Sequence, residues 1–214
     1  MNSCLTFNKL TRFISLLLCL SALTLCLCSC GEKSVYRIDS MSWYHGESNT
    51  INYTYTYTSD NKPSTIKTDY PLAPYESYED TFTYDRKGNL ESVTRLYNDM
   101  RMLIYTAEKI TKYKYILYDK DNKEYSTIIF DESGFIVSTR YVTGYITEYA
   151  FETEENGKPV SFKQLDVRPS GSKRLIDYKI DYKSGDTFLM YPQGDEFSND
   201  EYYKVKFQKI TVKG

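Results

Sequence analysis

"INYTYTYT", Ile51 to Thr58, is the stretch on which the fold class turns. Ile51, Tyr53, Tyr55 and Tyr57 alternate with Asn52, Thr54, Thr56 and Thr58. A period of two places one set on each face of a β-strand, because successive side chains point to opposite sides. The same alternation recurs in "TKYKYIL" (Tyr113, Tyr115, Leu117) and "YITEYAF" (Tyr145, Thr147, Tyr149, Phe151). It recurs again in "RLIDYKIDY" (Ile176, Tyr178, Ile180, Tyr182) and "YYKVKFQ" (Tyr203, Val205, Phe207). All 23 tyrosines follow Ser34, and Tyr, Thr, Val, Ile and Phe favour a pleated, half-buried surface. The fold class is all-β. Asn98–Ile110, "NDMRMLIYTAEKI", reads equally as a helical turn or as a strand and loop.

Short polar links separate the strands: "SDNKP" (Ser59–Pro63), "DRKGN" (Asp85–Asn89), "DKDNK" (Asp119–Lys123), "DESG" (Asp131–Gly134), "EENGKP" (Glu154–Pro159), "RPSGS" (Arg168–Ser172) and "KSGD" (Lys183–Asp186). Asn, Asp and Gly suit the positive φ that tight hairpins demand. Links this short join only antiparallel neighbours, since parallel strands need long crossovers. Several units share one order: an aromatic, a polar or acidic residue, a turn with Gly or Asn, then an outgoing strand. No single hairpin buries its apolar face alone. The expected architecture is an up-and-down hairpin meander curled into an open or closed barrel.

The first part of the chain is of another kind. Lys9 and Arg12 precede "FISLLLCLSALTLCLC", Phe13 to Cys28, which carries no charge. As a helix it would reach about 24 Å at roughly 1.5 Å per residue, short of the roughly 30 Å hydrocarbon core. A positive start, a short apolar run and small residues make a secretory signal peptide. "LCSC", Leu27 to Cys30, resembles the bacterial lipobox, which implies cleavage after Ser29, diacylglycerol on the Cys30 sulfur and an acylated (palmitate-type) amino terminus. The expected organisation is a lipoprotein signal peptide over 1–29, lipidated Cys30 with a tether over 30–34, and one all-β domain over 35–214. All five cysteines lie at or before Cys30, so no disulfide framework follows. Several acyl chains give stable anchoring where one does not.

Hairpins of this kind behind a lipobox resemble a family of Bacteroides-type lipoproteins with a domain of unknown function and a porin-like fold. Their "Y-x-Y-D-x-x-G" units are similar to the YD repeats of large secreted proteins. Phe82–Gly88 matches apart from Phe in place of the first Tyr, and Phe130–Gly134 matches in part. The resemblance implies an antiparallel barrel and no known activity. A membrane-spanning barrel is the less favoured version, because spanning strands need about 9–11 residues and "TFTYD" or "STIIFD" offer fewer; a soluble, tethered barrel is expected.

Composition narrows the chemistry. Without residues 1–29 the chain holds 25 basic and 29 acidic residues, a formal charge of −4. That balance gives no support to nucleic-acid binding, which needs a basic face. His45 is the only histidine and lies in "WYHGESN", which reads as a turn; a transition-metal site or a His-dependent hydrolase would rest on it alone. No phosphate-binding glycine motif is present, and no metal or other cofactor is expected. "DKDNKE" (Asp119–Glu124) lacks the glycine and late Glu of a calcium loop. Asp177 and Asp181 share one face of one strand, about 13 Å apart at roughly 3.3 Å per residue, too far for the 5–9.5 Å of a glycosidase pair. The reading is a non-enzymatic outer-membrane or cell-surface lipoprotein, held to the membrane by its lipid and facing the periplasm or the exterior. It displays a site for a glycan, peptide or lipid; the alternative is a carboxylate-dependent glycan hydrolase. The candidate ligand-facing aromatics are Tyr53, Tyr55, Tyr57, Tyr113, Tyr115 and Tyr149, with core packing as their competing role.

Overall fold

The computed structural model describes residues 32–154, 158–198 and 200–213. Cys30, the expected leader over 1–29 and the Asn156-Gly157 turn lie outside the described residues. Ser34–Ile210 form one compact unit. The strands of the described residues are β1 (Glu32–His45), β2 (Ser48–Tyr57), β3 (Pro63–Asp69), β4 (Tyr78–Tyr84), β5 (Leu90–Tyr97), β6 (Met102–Lys109), β7 (Lys114–Tyr118), β8 (Glu124–Phe130), β9 (Ile136–Tyr141), β10 (Ile146–Thr153), β11 (Pro159–Val167), β12 (Lys173–Ser184), β13 (Thr187–Gln193) and β14 (Glu201–Lys213). Each pairs with the next, and β14 closes on β1 to complete a fourteen-stranded antiparallel barrel. Helical structure among the described residues is confined to one 3-10 turn, Pro74–Glu76. The Asn98–Ile110 stretch resolves as turn and strand, with β6 over Met102–Lys109. Its outward Met102 and Ile104 give it the apolar run that blurred the period.

Most turns are built alike. In seven hairpins, starting at Thr58, Tyr97, Asp85, Asp119, Asp131, Tyr141 and Arg168, the first residue's amide donates to the carbonyl four residues on. The fourth residue has positive φ: Asn61, Met100, Gly88, Asn122, Gly134, Gly144 and Gly171. This is a type I turn followed by a left-handed residue, the common three-residue hairpin loop. In the turns that begin with Asp85, Asp119 and Asp131, the Asp carboxylate also accepts from the amides two and four residues ahead. Several strands then take up a bulge just past the turn, where Thr83 pairs Ser92 but Tyr84 pairs Leu90, and Ile129 pairs Ser138 but Phe130 pairs Ile136. Bulges strengthen local twist and bend, which closing a sheet requires.

The interior is filled rather than hollow over much of its length. One core gathers Ile38, Met41, Phe162, Ile176, Phe188, Met190, Val205 and Phe207; a second gathers Ile66, Phe82, Leu90, Val93, Tyr115, Leu117, Ile128 and Phe130. Tyr55 packs on both. Phe135, in the β8–β9 turn, is buried against Tyr55, Tyr149 and Phe151 with ring centroids 5.9–6.0 Å away. A Cβ on Gly134 would stand 2.5 Å from the Asn61 carbonyl, so this turn lies directly on the β2–β3 turn. It pinches the barrel between opposite walls and seals one end. We call that end proximal, because β1 starts there, and the other distal. Outward positions carry charge along many strands, as with Glu79 on β4, Glu148 and Glu152 on β10, Asp177 and Lys179 on β12 and Lys204 and Lys206 on β14.

Candidate functional site

Polar side chains concentrate at the inner distal end. Asp80 on β4 and Arg95 on β5 are direct cross-strand partners. The Arg95 guanidinium donates through Nε and Nη2 to the two Asp80 oxygens, both at 2.7 Å. It also lies over the Tyr78 ring, 4.0 Å from its centroid. Burial works against the Arg95 charge, but hydrogen bonding and attraction to Asp80 outweigh it and raise its pKa. A paired, bidentate charge of this kind is fully engaged by the protein itself.

Around this pair stand tyrosines from strands on every side. Tyr70 and Tyr78 flank the β3–β4 connection, Tyr97 ends β5, and Tyr141 ends β9. Tyr53, Tyr149, Tyr178 and Tyr203 come from β2, β10, β12 and β14. Tyr78 and Tyr97 rings are 5.5 Å apart, and those of Tyr178 and Tyr203 5.7 Å. Burial raises the pKa of Tyr53, Tyr149 and Tyr203, and neighbouring groups raise each further: Tyr203 and Tyr149 beside Tyr53, Asp166 beside Tyr149, and Tyr178 beside Tyr203. Tyr141 is pushed up to about 12, chiefly by burial and next by Tyr125. Tyr53, Tyr141, Tyr149 and Tyr203 therefore stay neutral at physiological pH, as hydrogen-bond donors and aromatic faces. Tyr178 donates to Gln164 Oε1 at 3.2 Å, and Gln164 Nε2 donates to Asp166 at 2.9 Å, so the second inward carboxylate is also bonded. Thr68 and Ser126 add buried hydroxyls.

The six tyrosines singled out in the sequence divide by height in the barrel. Tyr53 and Tyr149 belong to the distal cluster. Tyr55 is the wedge between the two cores. Tyr57 is at the proximal end, under the Arg37 guanidinium at 4.2 Å, with its hydroxyl donating to the Ile38 carbonyl at 2.6 Å. Tyr115 is core at 5% exposure, and Tyr113 borders the proximal β6–β7 turn beneath Lys112. Sequence reasoning did not find Arg95 or Asp80. The available signal was a charge at an inward position of each strand: Asp80 between Tyr78 and Phe82, Arg95 between Val93 and Tyr97.

The other candidates have simple surroundings. His45 ends β1 at the first turn, exposed, with Nδ1 3.4 Å from Glu201. The Asp119–Lys123 segment is a hairpin turn whose carboxylate serves its own amides. Asp177 is exposed on the outer face of β12. Among the described residues no three His, Cys, Asp or Glu side chains converge as a metal site, and no helix is long and apolar enough to cross a membrane. No protein-family model matches the chain, and no curated protein matches its sequence.

Proposed function

We propose that this chain is an exported, lipid-anchored binding module, non-enzymatic, whose tyrosine-lined distal mouth takes an uncharged, hydroxylated ligand of the glycan kind. The observation that carries the reading is the ring of tyrosines around an internally satisfied Arg95–Asp80 pair. Aromatic faces and hydroxyls suit sugar rings, whereas a charged ligand would find no free opposite charge on that pair. Anchoring at Cys30, on the outer membrane with the domain facing the periplasm or the exterior, rests on the lipobox and its position. Charged outward positions favour a tethered over a membrane-spanning barrel. Kinship with Bacteroides-type lipoproteins and their YD-like repeats is supported by the hairpins that run aromatic, acid, then Gly or Asn. The carboxylate-hydrolase alternative is disfavoured because Asp80 is locked by Arg95, Asp166 accepts from Gln164, and Asp177 faces outward.

A glycan-array screen of the full chain in lipid nanodiscs tests the binding reading. Binding to neutral oligosaccharides that weakens at least tenfold in Tyr149→Phe or Tyr203→Phe, with melting temperature held within a few degrees, supports it. Preference for charged ligands, or binding indifferent to both substitutions, would contradict it. Intact-mass measurement tests the anchor: acylated Cys30 as the first residue is expected, and an unmodified Cys30 behind an uncleaved leader would refute it.

A further inference from the structure

The geometry points to an amphiphilic ligand, its hydroxylated head among the distal tyrosines and its hydrocarbon portion over an apolar lip formed by the β5–β6 hairpin and the β3–β4 connection. This rests on the binding reading above and adds the second half of the ligand.

Leu103 pairs with Arg95 across the β5–β6 ladder and alternates with the buried Tyr105. It therefore faces inward at the mouth, yet it is 42% exposed. On the outer side of the same hairpin Leu96 pairs with Met102, and Ile104 follows; all three are exposed. Met100, at the tip, is 80% exposed in a left-handed conformation. The β3–β4 connection adds Leu72 and Tyr75, 77% and 65% exposed. The two segments are tied together: the Asn98 amide donates to the Ser77 carbonyl, and Asn98 Nδ2 to the Pro74 carbonyl, each at 2.9 Å. Exposed apolar side chains thus stand on the inner wall, at the tip and on the outer face, with the Asp99–Arg101 ion pair between them at the turn.

Exposed apolar side chains grouped on one rim mark a binding surface, and the place of Leu103 beside the inward Arg95 assigns its occupant. A ligand seated against Arg95 meets Leu103, its direct cross-strand neighbour on the same face. Its hydrocarbon cannot go inward, because Phe188, Met190 and Val205 in one core and Leu90 and Phe82 in the other fill the barrel below. Laid over Leu103 and Met100, a tail covers surface that water otherwise meets.

The test compares glucose, galactose and mannose with their octyl glycosides, titrated below micelle formation against the full chain in lipid nanodiscs. Octanol serves as the headless control. Each buried methylene is worth about 0.8 kcal/mol, roughly fourfold in affinity, so two on the lip give tenfold or more. At least one octyl glycoside should bind tenfold or more tighter than its free sugar. Leu103→Ser/Met102→Ser in identical discs should abolish that increment and spare sugar binding; both residues are exposed, so the fold tolerates the change. Equal binding of sugar and glycoside, an increment indifferent to the double variant, or octanol binding as well as the glycoside would overturn the inference while leaving the sugar site standing. Absence of binding by every sugar and glycoside would overturn both.

Discussion

Asp131 accepts three hydrogen bonds inside its own turn, from the amides of Ser133 and Phe135 and from the Ser133 hydroxyl. Asp85 does the same for Lys87 and Asn89. The two titrate in opposite directions. Asp85 is solvated, and its bonds to Asn89 lower its pKa. Asp131 lies under the barrel's seal, and burial raises its pKa despite the same bonds. An acid whose folded pKa is lowered adds stability that is present above its unfolded value, near 3.9, and is lost as pH falls. One whose folded pKa is raised loses stability as pH climbs from about 3.9 through the folded value. Asp131→Asn keeps the acceptor and removes the buried charge. It should leave stability at pH 7 unchanged or higher and flatten the decline above pH 4, measured by urea denaturation across pH. Asp131→Ala orphans the donors and should cost about 1–3 kcal/mol. At the mouth, Arg95→Ala leaves Asp80 inside without its partner and should cost about 3–5 kcal/mol by the same method. Replacing both by Met and Leu should restore most of that loss.

At the scale of the hairpin, one backbone recipe meets different surroundings. Gly134 and Gly171 both have positive φ, 84° and 81°. A methyl on Gly134 would collide with the Asn61 carbonyl at 2.5 Å, whereas nothing lies within 4 Å of one on Gly171. Gly171→Ala should therefore cost only the conformational preference, about 1 kcal/mol, and Gly134→Ala clearly more, because the seal must shift. Met100 adopts φ 68° without being glycine, so Met100→Gly should stabilise the fold by about 1 kcal/mol in thermal melts while stripping the lip's tip. These hairpins were legible in the sequence because "DRKGN", "DKDNK" and "DESG" state their turn chemistry outright. β6 was ambiguous because Met102, Leu103 and Ile104 are apolar on both faces, and an apolar run carries no period. That ambiguity and the lip have one cause.

For the whole barrel, alternation in "INYTYTYT" dictated strands and short links dictated antiparallel neighbours, but closure depends on β14 meeting β1, a contact between the ends of the fold that no local pattern encodes. The division of the tyrosines was equally hidden. Tyr53, Tyr55 and Tyr57 share one face of one strand and occupy three environments, mouth, wedge and sealed end, because height in the barrel is set by partners far along the chain. A ligand is expected at the distal end alone. Tyrosine-selective 13C NMR of the full chain in lipid nanodiscs, titrated with the best-bound neutral glycan, distinguishes the two ends. Ring resonances of Tyr53, Tyr78, Tyr97, Tyr149 and Tyr203 should shift in a saturable manner, while those of Tyr57, Tyr84, Tyr115 and Tyr182 stay fixed. Shifts confined to the second group, or spread evenly over both, would rule out a distal site.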